Sequence, residues 1–408
     1  MPQHLRALLY DPTHGSQNEL VNQIMTSFEQ SIGICVISMA QPRVMIDKAI
    51  VSADPSEVLD LATGEETKRK LAIVETPDLA AVVLTSGTTS NPKPVELTFT
   101  GLRSSTESLY RCCGLSSDDS WLCTLPPNYV AGLAIFGRCF VSGSNLVFNS
   151  QFNVDSFFES VLEHNITVTS LVPQQLEELL ESGKNFGPLK KILIGGTKVD
   201  QKLENECINR GVEIFATYGM TETWGGICIN GEFLDNTSGR IVNDEIQLLS
   251  DSIMAGYRHD SILTKSKFST DGWFKTGDIG TINDNTLEVI GRLDEIINSG
   301  GIKVDPKNIE EIIARKFPEL NFGICSTQHP KLGESVTFCI EKRQLEEIDL
   351  KTLRSVLKEL LPSTQLPTRL ATIEKIPLTQ SGKIKRKELA NLCEVISDYL
   401  ADIKGAAN

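Results

Sequence analysis

A chain of 408 residues is long enough for two or three domains and buries a core without disulfide or metal staples. Its 40% hydrophobic and 23% charged composition is that of a soluble globular protein, and a formal net charge of −14 argues against general binding to nucleic acid or anionic membrane, either of which needs an extended basic face. No apolar run approaches the roughly 20 residues of a membrane span, and the N-terminal segment lacks an extended signal core, so a cytoplasmic location is expected.

In chain order, NELVNQIMTSFEQ places Leu20, Val21, Ile24, Met25 and Phe28 on one helical face, and SIGICVISM reads as a buried strand. Packing accounts for both. From about residue 79 to 217, apolar runs of strand length alternate with amphipathic segments, from AAVVLT and FTGLRSSTESLYRCC to KKILIG, DQKLENECINR and VEIFAT. That alternation predicts parallel sheet covered by helices, with ligands beyond the carboxyl ends of strands. Residues 225 to 290 change to short strands between Gly, Asn and Asp turns, a small antiparallel or barrel-like unit. After Asp294 come the helix NIEEIIARKF, the strands NFGICST and SVTFCIE, the helix LKTLRSVLKELL, then ATIEKI and a final helix from about 385. The expected fold is therefore α/β, with a large N-terminal domain of parallel sheets, helices and a small β unit over 1–293. A small α+β C-terminal domain over 294–408 follows a short hinge.

The 10 cysteines are scattered singly apart from Cys112 and Cys113, and no CxxC or HExxH occurs. Zinc or disulfide chemistry is not expected, and most of these thiols read as reduced core residues.

Five segments carry chemistry. Residues 85–93, TSGTTSNPK, follow the apolar LAAVVL. Small residues there let backbone N–H groups approach an anion, Ser86, Thr88 and Thr89 offer hydroxyls, and Lys93 supplies charge. By itself the run reads equally as a polar turn, because it lacks the GxxxxGK[ST] spacing of the common P-loop. YGMTET at 218–223 sets Thr221 beside Glu222, a pairing suited to a phosphate oxygen and a bridging Mg²⁺, or simply a helix start capped by Thr221. WFKTGDIG at 273–280 presents Asp278, able to grip paired ribose hydroxyls, or ordinary turn chemistry. GRLDEIINSGGIKV at 291–304 holds Arg292, Asp294, Gly300 and Gly301. PLTQSGKIKRKEL at 377–389 places Lys383 in a turn, while Lys385, Arg386 and Lys387 read as an exposed basic cluster.

Taken in this order over about residues 80 to 395, TSGTTSNPK, YGMTET, WFKTGD, GRLDE and SGKIKRKEL resemble the AMP-forming acyl-CoA synthetase, or adenylate-forming, superfamily. LPPNYVAGL at 125–133, TSLVPQQL at 169–176, ILIGGTKVD at 192–200 and TYGMTETWGG at 217–226 are similar to its o-succinylbenzoate-CoA ligases of menaquinone synthesis. The first motif begins only 85 residues in, so an N-terminal subdomain shorter than in longer members is expected.

The resemblance implies an acyl-adenylate formed from an acid and MgATP, then a thioester formed with CoA. It assigns Thr85, Ser86, Gly87, Thr88, Thr89 and Lys93 to pyrophosphate, Thr221 to the α-phosphate and Glu222 to Mg²⁺. Gly195 and Gly196 with Tyr218 flank adenine, and Asp278 and Arg292 hold ribose. Lys383, on a C-terminal domain that swings about Asp294, serves the first step, and the loop with Gly300 and Gly301 lines the second. Tyr129, Gly132, Leu171, Trp224, Gly225 and Gly226 are acyl-pocket candidates, and Arg138 faces a second substrate carboxylate.

Three departures stand out. Ser90 and Pro94 replace glycines of the usual loop, removing backbone freedom in a way that can lower ATP affinity, and Tyr129 stands where many relatives have histidine. A carrier-protein-loading enzyme, a ligase for fatty or other aryl acids, and a non-catalytic nucleotide-binding relative remain alternatives. Homo-oligomer formation is left open.

Overall fold

The structure, a computed structural model, describes residues 4–13, 17–69, 76–85, 92–195, 201–378 and 384–400. The chain forms two compact units. Met1–Ile241, Gln247–Thr276 and Ile282–Glu288 make the first, and Val242–Ile246, Gly277–Thr281 and Val289–Asn408 make the second. The last crossing between units falls between Glu288 and Val289, and Asp278 and Arg292 belong to the second.

In the first unit, β1 (Leu5–Tyr10), β2 (Gly33–Ser38), β3 (Glu57–Asp60), β4 (Glu66–Lys68), β5 (Leu79–Thr85) and β6 (Lys93–Thr98) lie in the order β6-β5-β2-β1-β3-β4. The short strand Gly256–Tyr257 adds outside β6. β1, β2, β3 and β5 run parallel, but β5 and β6 are antiparallel, with Thr85 opposite Lys93. The connection between them is too short for a parallel crossover, which takes a dozen or more residues. The 85–93 segment therefore does not lead from a strand directly into a helix. The helix Phe99–Cys113 starts only after β6, capped where the Thr98 hydroxyl accepts from Gly101 N.

A second sheet takes β7 (Ser120–Cys123), β8 (Asn145–Phe148), β9 (Val168–Leu171), β10 (Lys191–Gly195), β11 (Glu213–Met220), β12 (Gly225–Ile229) and β13 (Glu232–Phe233) in the order β8-β7-β9-β10-β11-β12-β13. β7 to β11 are parallel, and β12 turns back antiparallel on β11. The strands expected to begin a separate β unit at 225 thus extend this sheet. β14 (Thr237–Val242) and β15 (Glu245–Ser250) are joined at Asn243 and Asp244, both at positive φ. After β16, the strand Gly256–Tyr257, comes β17 (Phe274–Asn283). It is joined to β18 (Thr286–Arg292) at Asp284 and Asn285, again both at positive φ. Asn and Asp tolerate that conformation, so two-residue hairpin turns form at both places.

The alternation legible in the sequence becomes packing here. Leu20, Ile24 and Phe28 of the helix Gln17–Glu29 are buried in a cluster with Ile34, Trp121 and Phe136, while Phe157, Leu176 and Ile192 build a second one.

In the second unit, β19 (Ile297–Ser299), β20 (Ile302–Val304), β21 (Phe322–His329), β22 (Gly333–Glu341), β23 (Arg369–Ile373) and β24 (Glu394–Asp398) form a sheet ordered β20-β19-β22-β23-β24, with β21 on β22. Ile309, Ile313, Leu353 and Leu357 of the helices Pro306–Lys316 and Leu350–Leu357 fill its core with Ile324 and Phe338. The C-terminal helix is brief, Arg386–Leu392. The β-branched residues Val395 and Ile396 then enter β24, antiparallel to β23.

Candidate active site

Of the phosphate-loop residues, Ser86, Gly87, Thr88, Thr89 and Ser90 lie outside the described residues, as do Gly196 and Lys383. The ends of the loop are held. Thr85 Oγ1 donates to the Lys93 carbonyl at 3.4 Å, and Pro94 sits in β6 opposite Leu84. The Pro94 carbonyl accepts from Arg258 N at 2.9 Å, so proline enters at the strand's start, where its missing N–H is tolerated. Beneath it, Arg258 Nη1 donates to Glu96 Oε1 at 2.8 Å in a buried ion pair that ties β16 to β6. A cleft of about 410 Å³ lies beside this hairpin, walled by Lys93, Pro94, Tyr257, Arg258 and His259. Another of about 370 Å³, lined by Arg43, Asp47, Asp60 and Arg69, sits at the opposite edge of the sheet and contains none of the expected residues.

β11 delivers Tyr218, Thr221 and Glu222. Tyr218 pairs with Cys228 of β12, and Gly195 at the end of β10 pairs with Thr217, whose hydroxyl a Cβ on Gly195 would meet at 3.3 Å. Thr221–Thr223 is a single 3-10 turn, and the hydroxyl that closes it belongs to Thr223. That hydroxyl accepts from Met220 N at 3.0 Å and donates to the Gly225 carbonyl at 2.7 Å. The turn is thus closed not by Thr221, the alternative reading of that residue, but two residues later by the buried Thr223 side chain, which sequence reasoning missed. Glu222 Oε1 accepts from the Tyr257 phenol at 2.7 Å, a partner that sequence spacing does not reveal.

The following turn is held by close backbone contact. Trp224 adopts a left-handed conformation with its indole buried and Nε1 donating to the Thr98 carbonyl at 3.0 Å. A Cβ on Gly219 would fall 1.7 Å from the Gly225 carbonyl oxygen, so only glycine fits there. Gly226, beside it, pairs with Gly219.

Of the other acyl-pocket candidates, Tyr129 is exposed at the N-terminus of the helix Val130–Ser142. Gly132 lets the Pro126 carbonyl lie against that helix, its absent Cβ 2.5 Å from the oxygen. Leu171 is buried in the cluster around Phe157. Arg138 stands apart. Its residue is only 5% exposed, its guanidinium lies 5.9 Å from the centre of the Trp121 ring, and a Cβ on Gly225 would be 3.7 Å from its Nη2. Among the described residues, no carboxylate is within ion-pair distance of it. Burial draws its pKa below the ordinary value.

In the second unit, Arg292 Nη1 donates to Asp278 Oδ1 at 2.9 Å and Nε approaches Asp294 at 3.4 Å. Burial works against the Arg292 charge, yet Asp278 and Asp294 raise its pKa overall. Gly277, at φ 75, leaves room for the guanidinium, which a Cβ there would meet at 3.0 Å. Gly300 and Gly301 form the two-residue hairpin between β19 and β20, both at positive φ, with Gly300 N donating to the Leu332 carbonyl. Arg386, expected in an exposed cluster, is instead mostly buried and forks onto Glu310 at 2.6 and 2.7 Å. The carboxylate opposite it, 76 residues away in sequence, could not be seen from local composition.

Comparison with known proteins places this geometry. Residues 16–254 match the family model "AMP-binding enzyme". The chain is 31% identical over 352 residues to a 2-succinylbenzoate–CoA ligase of Listeria monocytogenes serotype 4b, covering 81% of this chain and 74% of that protein. It is 28% identical over 371 residues to the Bacillus velezensis protein of the same name, covering 85% and 75%. In structure it is similar to the o-succinylbenzoate CoA synthetase of Bacillus subtilis in complex with an acyl-adenylate intermediate, with a TM-score of 0.81 over 97% of this chain and 90% of that one at 22% identity. ATP-bound MatB of Rhodopseudomonas palustris shares the fold at a TM-score of 0.76 and 21% identity, covering 96% and 89%. No helix among the described residues is long and apolar enough to cross a membrane.

Proposed function

Because the chain belongs to the AMP-binding enzyme family, we propose that it is an ATP-dependent acid–CoA ligase acting on o-succinylbenzoate, the acid named for its relatives. Arg138 is the observation that carries the choice of acid. o-Succinylbenzoate has two carboxylates, of which one is activated and the other must be neutralised wherever it is buried. A buried arginine with no carboxylate partner among the described residues, beside the open backbone of Gly225, would supply that neutralisation.

In the first step the succinyl carboxylate oxygen attacks the α-phosphorus of ATP, and the bond to pyrophosphate breaks. In the second, the CoA sulfur attacks the acyl carbon, the carbon–oxygen bond to AMP breaks, and the thiol proton passes to solvent. Adenylation matters because a free carboxylate has no adequate leaving group. Lys93 and the loop it closes would hold the departing phosphates, Thr221 the α-phosphate, and Tyr218 with Gly195 and Gly196 the adenine. Asp278 and Arg292 keep a role in gripping ribose hydroxyls, and Lys383 that of offsetting charge as the α-phosphate is attacked. Glu222, an oxygen donor already oriented by Tyr257, fits a hard cation such as Mg²⁺. Bound there, the ion would neutralise phosphate charge. The second half-reaction, hinged at Asp294, is assigned to the loop with Gly300 and Gly301.

The test is pyrophosphate release with o-succinylbenzoate and with 3-benzoylpropionate, the same molecule without its ring carboxylate, followed by thioester formation with CoA. The diacid is expected to react at least 100-fold more efficiently, since a polar group left unpaired in a buried site costs about 3 kcal/mol, and Arg138→Ala is expected to erase most of that preference. Equal use of both acids by the unaltered protein overturns the choice of acid. Silence with every acid overturns the ligase reading, and transfer to a carrier protein but not to CoA overturns the acceptor.

A further inference from the structure

The ligase chemistry leaves one group of reactive side chains in the second unit unused. β21 and β22 are antiparallel, with Cys325 opposite Thr337 and Cys339 opposite Gly323, so the two cysteines lie on one face of the sheet as diagonal neighbours. The helix Arg386–Leu392 packs over that face through Leu389, and Cys393, the next residue in the chain, brings in a third thiol. Cys325 Sγ is 3.4 Å from Cys339 Sγ and 4.0 Å from Cys393 Sγ, and all three sulfurs lie within 4.8 Å of one another.

These separations suit a shared cation better than a covalent bridge. Three sulfurs coordinating one ion at about 2.3 Å in a trigonal plane stand about 4.0 Å apart. A disulfide needs its Cα atoms within about 7 Å, whereas diagonal neighbours across an antiparallel pair sit about 7–8 Å apart, so closing the Cys325–Cys339 bond would drag the strands. It would also strand the third thiol. The donor set is all sulfur, with no histidine or carboxylate in the group. Thiolates select soft metals, and three ligands without a fourth fall short of the tetrahedral set that structural zinc takes. Cys393 is half-buried, giving an ion a way in, while Cys325 and Cys339 are buried against Ala371, Ile373 and Ile376.

We propose that Cys325, Cys339 and Cys393 form a trigonal thiolate site for a soft cation of the copper(I) class, closed by the short C-terminal helix. Nothing in this assignment rests on the ligase reaction. Occupation ties the end of that helix to the sheet, and each thiol still protonated releases its proton as the ion binds.

The experiment is an anaerobic titration of the fully reduced, full-length protein with copper(I) in competition with a chromophoric copper(I) chelator. The protein is expected to retain one tight equivalent, to melt at a higher temperature with it, and to show three sulfur neighbours by X-ray absorption. Cys393→Ser alters a half-buried position by one atom and is expected to weaken retention at least tenfold. Cys339→Ala serves as a second variant, with circular dichroism confirming the fold of each. Cys112→Ser, which removes the exposed thiol of the neighbouring pair, is expected to change nothing. The proposal is overturned if the unaltered protein retains no ion, if Cys393→Ser binds as tightly as it does, if Cys112→Ser abolishes binding, or if only two sulfurs surround the metal.

Discussion

Tyr257 donates its phenolic hydrogen to Glu222 Oε1 at 2.7 Å, joining the strand beside β6 to the turn that follows β11. The bond fixes one carboxylate oxygen, and under the proposed function the other would meet Mg²⁺. Tyr257→Phe keeps the ring and removes the donor, at a cost of about 1 kcal/mol in carboxylate orientation. The half-saturating Mg²⁺ concentration for pyrophosphate release should rise about fivefold while the melting temperature stays nearly constant. An unchanged Mg²⁺ requirement would show that Glu222 does not meet the metal.

Gly219→Ala should be the most damaging single methyl in the turn, because its Cβ would overlap the Gly225 carbonyl oxygen. Overpacking against backbone, which cannot rotate away, predicts a loss of about 3 kcal/mol. Gly226→Ala is the companion, its Cβ meeting Thr217 at 3.3 Å, and should cost about 1 kcal/mol. Denaturant melts of the two variants check the ranking.

Lys383→Ala should lose carboxylate-dependent adenylation by at least about 100-fold yet still convert supplied acyl-adenylate and CoA to thioester. Equal failure of both steps removes the lysine from its assigned role.

A pH dependence follows from Asp398. Burial opposes its ionisation, but Arg369 at 2.9 Å, with His329 at 3.4 Å, brings its pKa below the ordinary carboxylate value. A carboxylate depressed in the folded state contributes stability that is present above its unfolded pKa of about 3.9 and lost as pH falls through the lower folded value. Melting curves between pH 7 and pH 2 should therefore steepen on the acid side for the unaltered chain. Asp398→Asn should flatten that limb and lower stability at neutral pH.

Periodicity made the alternating strands and helices of residues 79 to 217 legible, because each apolar face had to be buried. The order of the motifs made the chemistry legible. What stayed hidden depended on distant partners. Arg386 looked like one of three exposed cations until Glu310 closed on it, and Cys325, Cys339 and Cys393 were single thiols until a sheet and a helix brought them together. Thr221 and Thr223 are equivalent in a string of letters, and only the carbonyl positions around the turn decide which hydroxyl is structural. The antiparallel return of β6 was hidden differently, since a short polar connection after a strand serves a hairpin as readily as a helix.

The placement of Trp121 beneath Arg138 also gives the chain an optical property. Trp121, Trp224 and Trp273 are its three indoles, and the first two are buried, one stacked near the arginine and the other hydrogen-bonded within the turn after Glu222. An anion drawn to that guanidinium alters the field across the Trp121 ring and so shifts its emission. If the acid binds there as proposed, its arrival is readable as a shift in that emission, with no label attached and no turnover required.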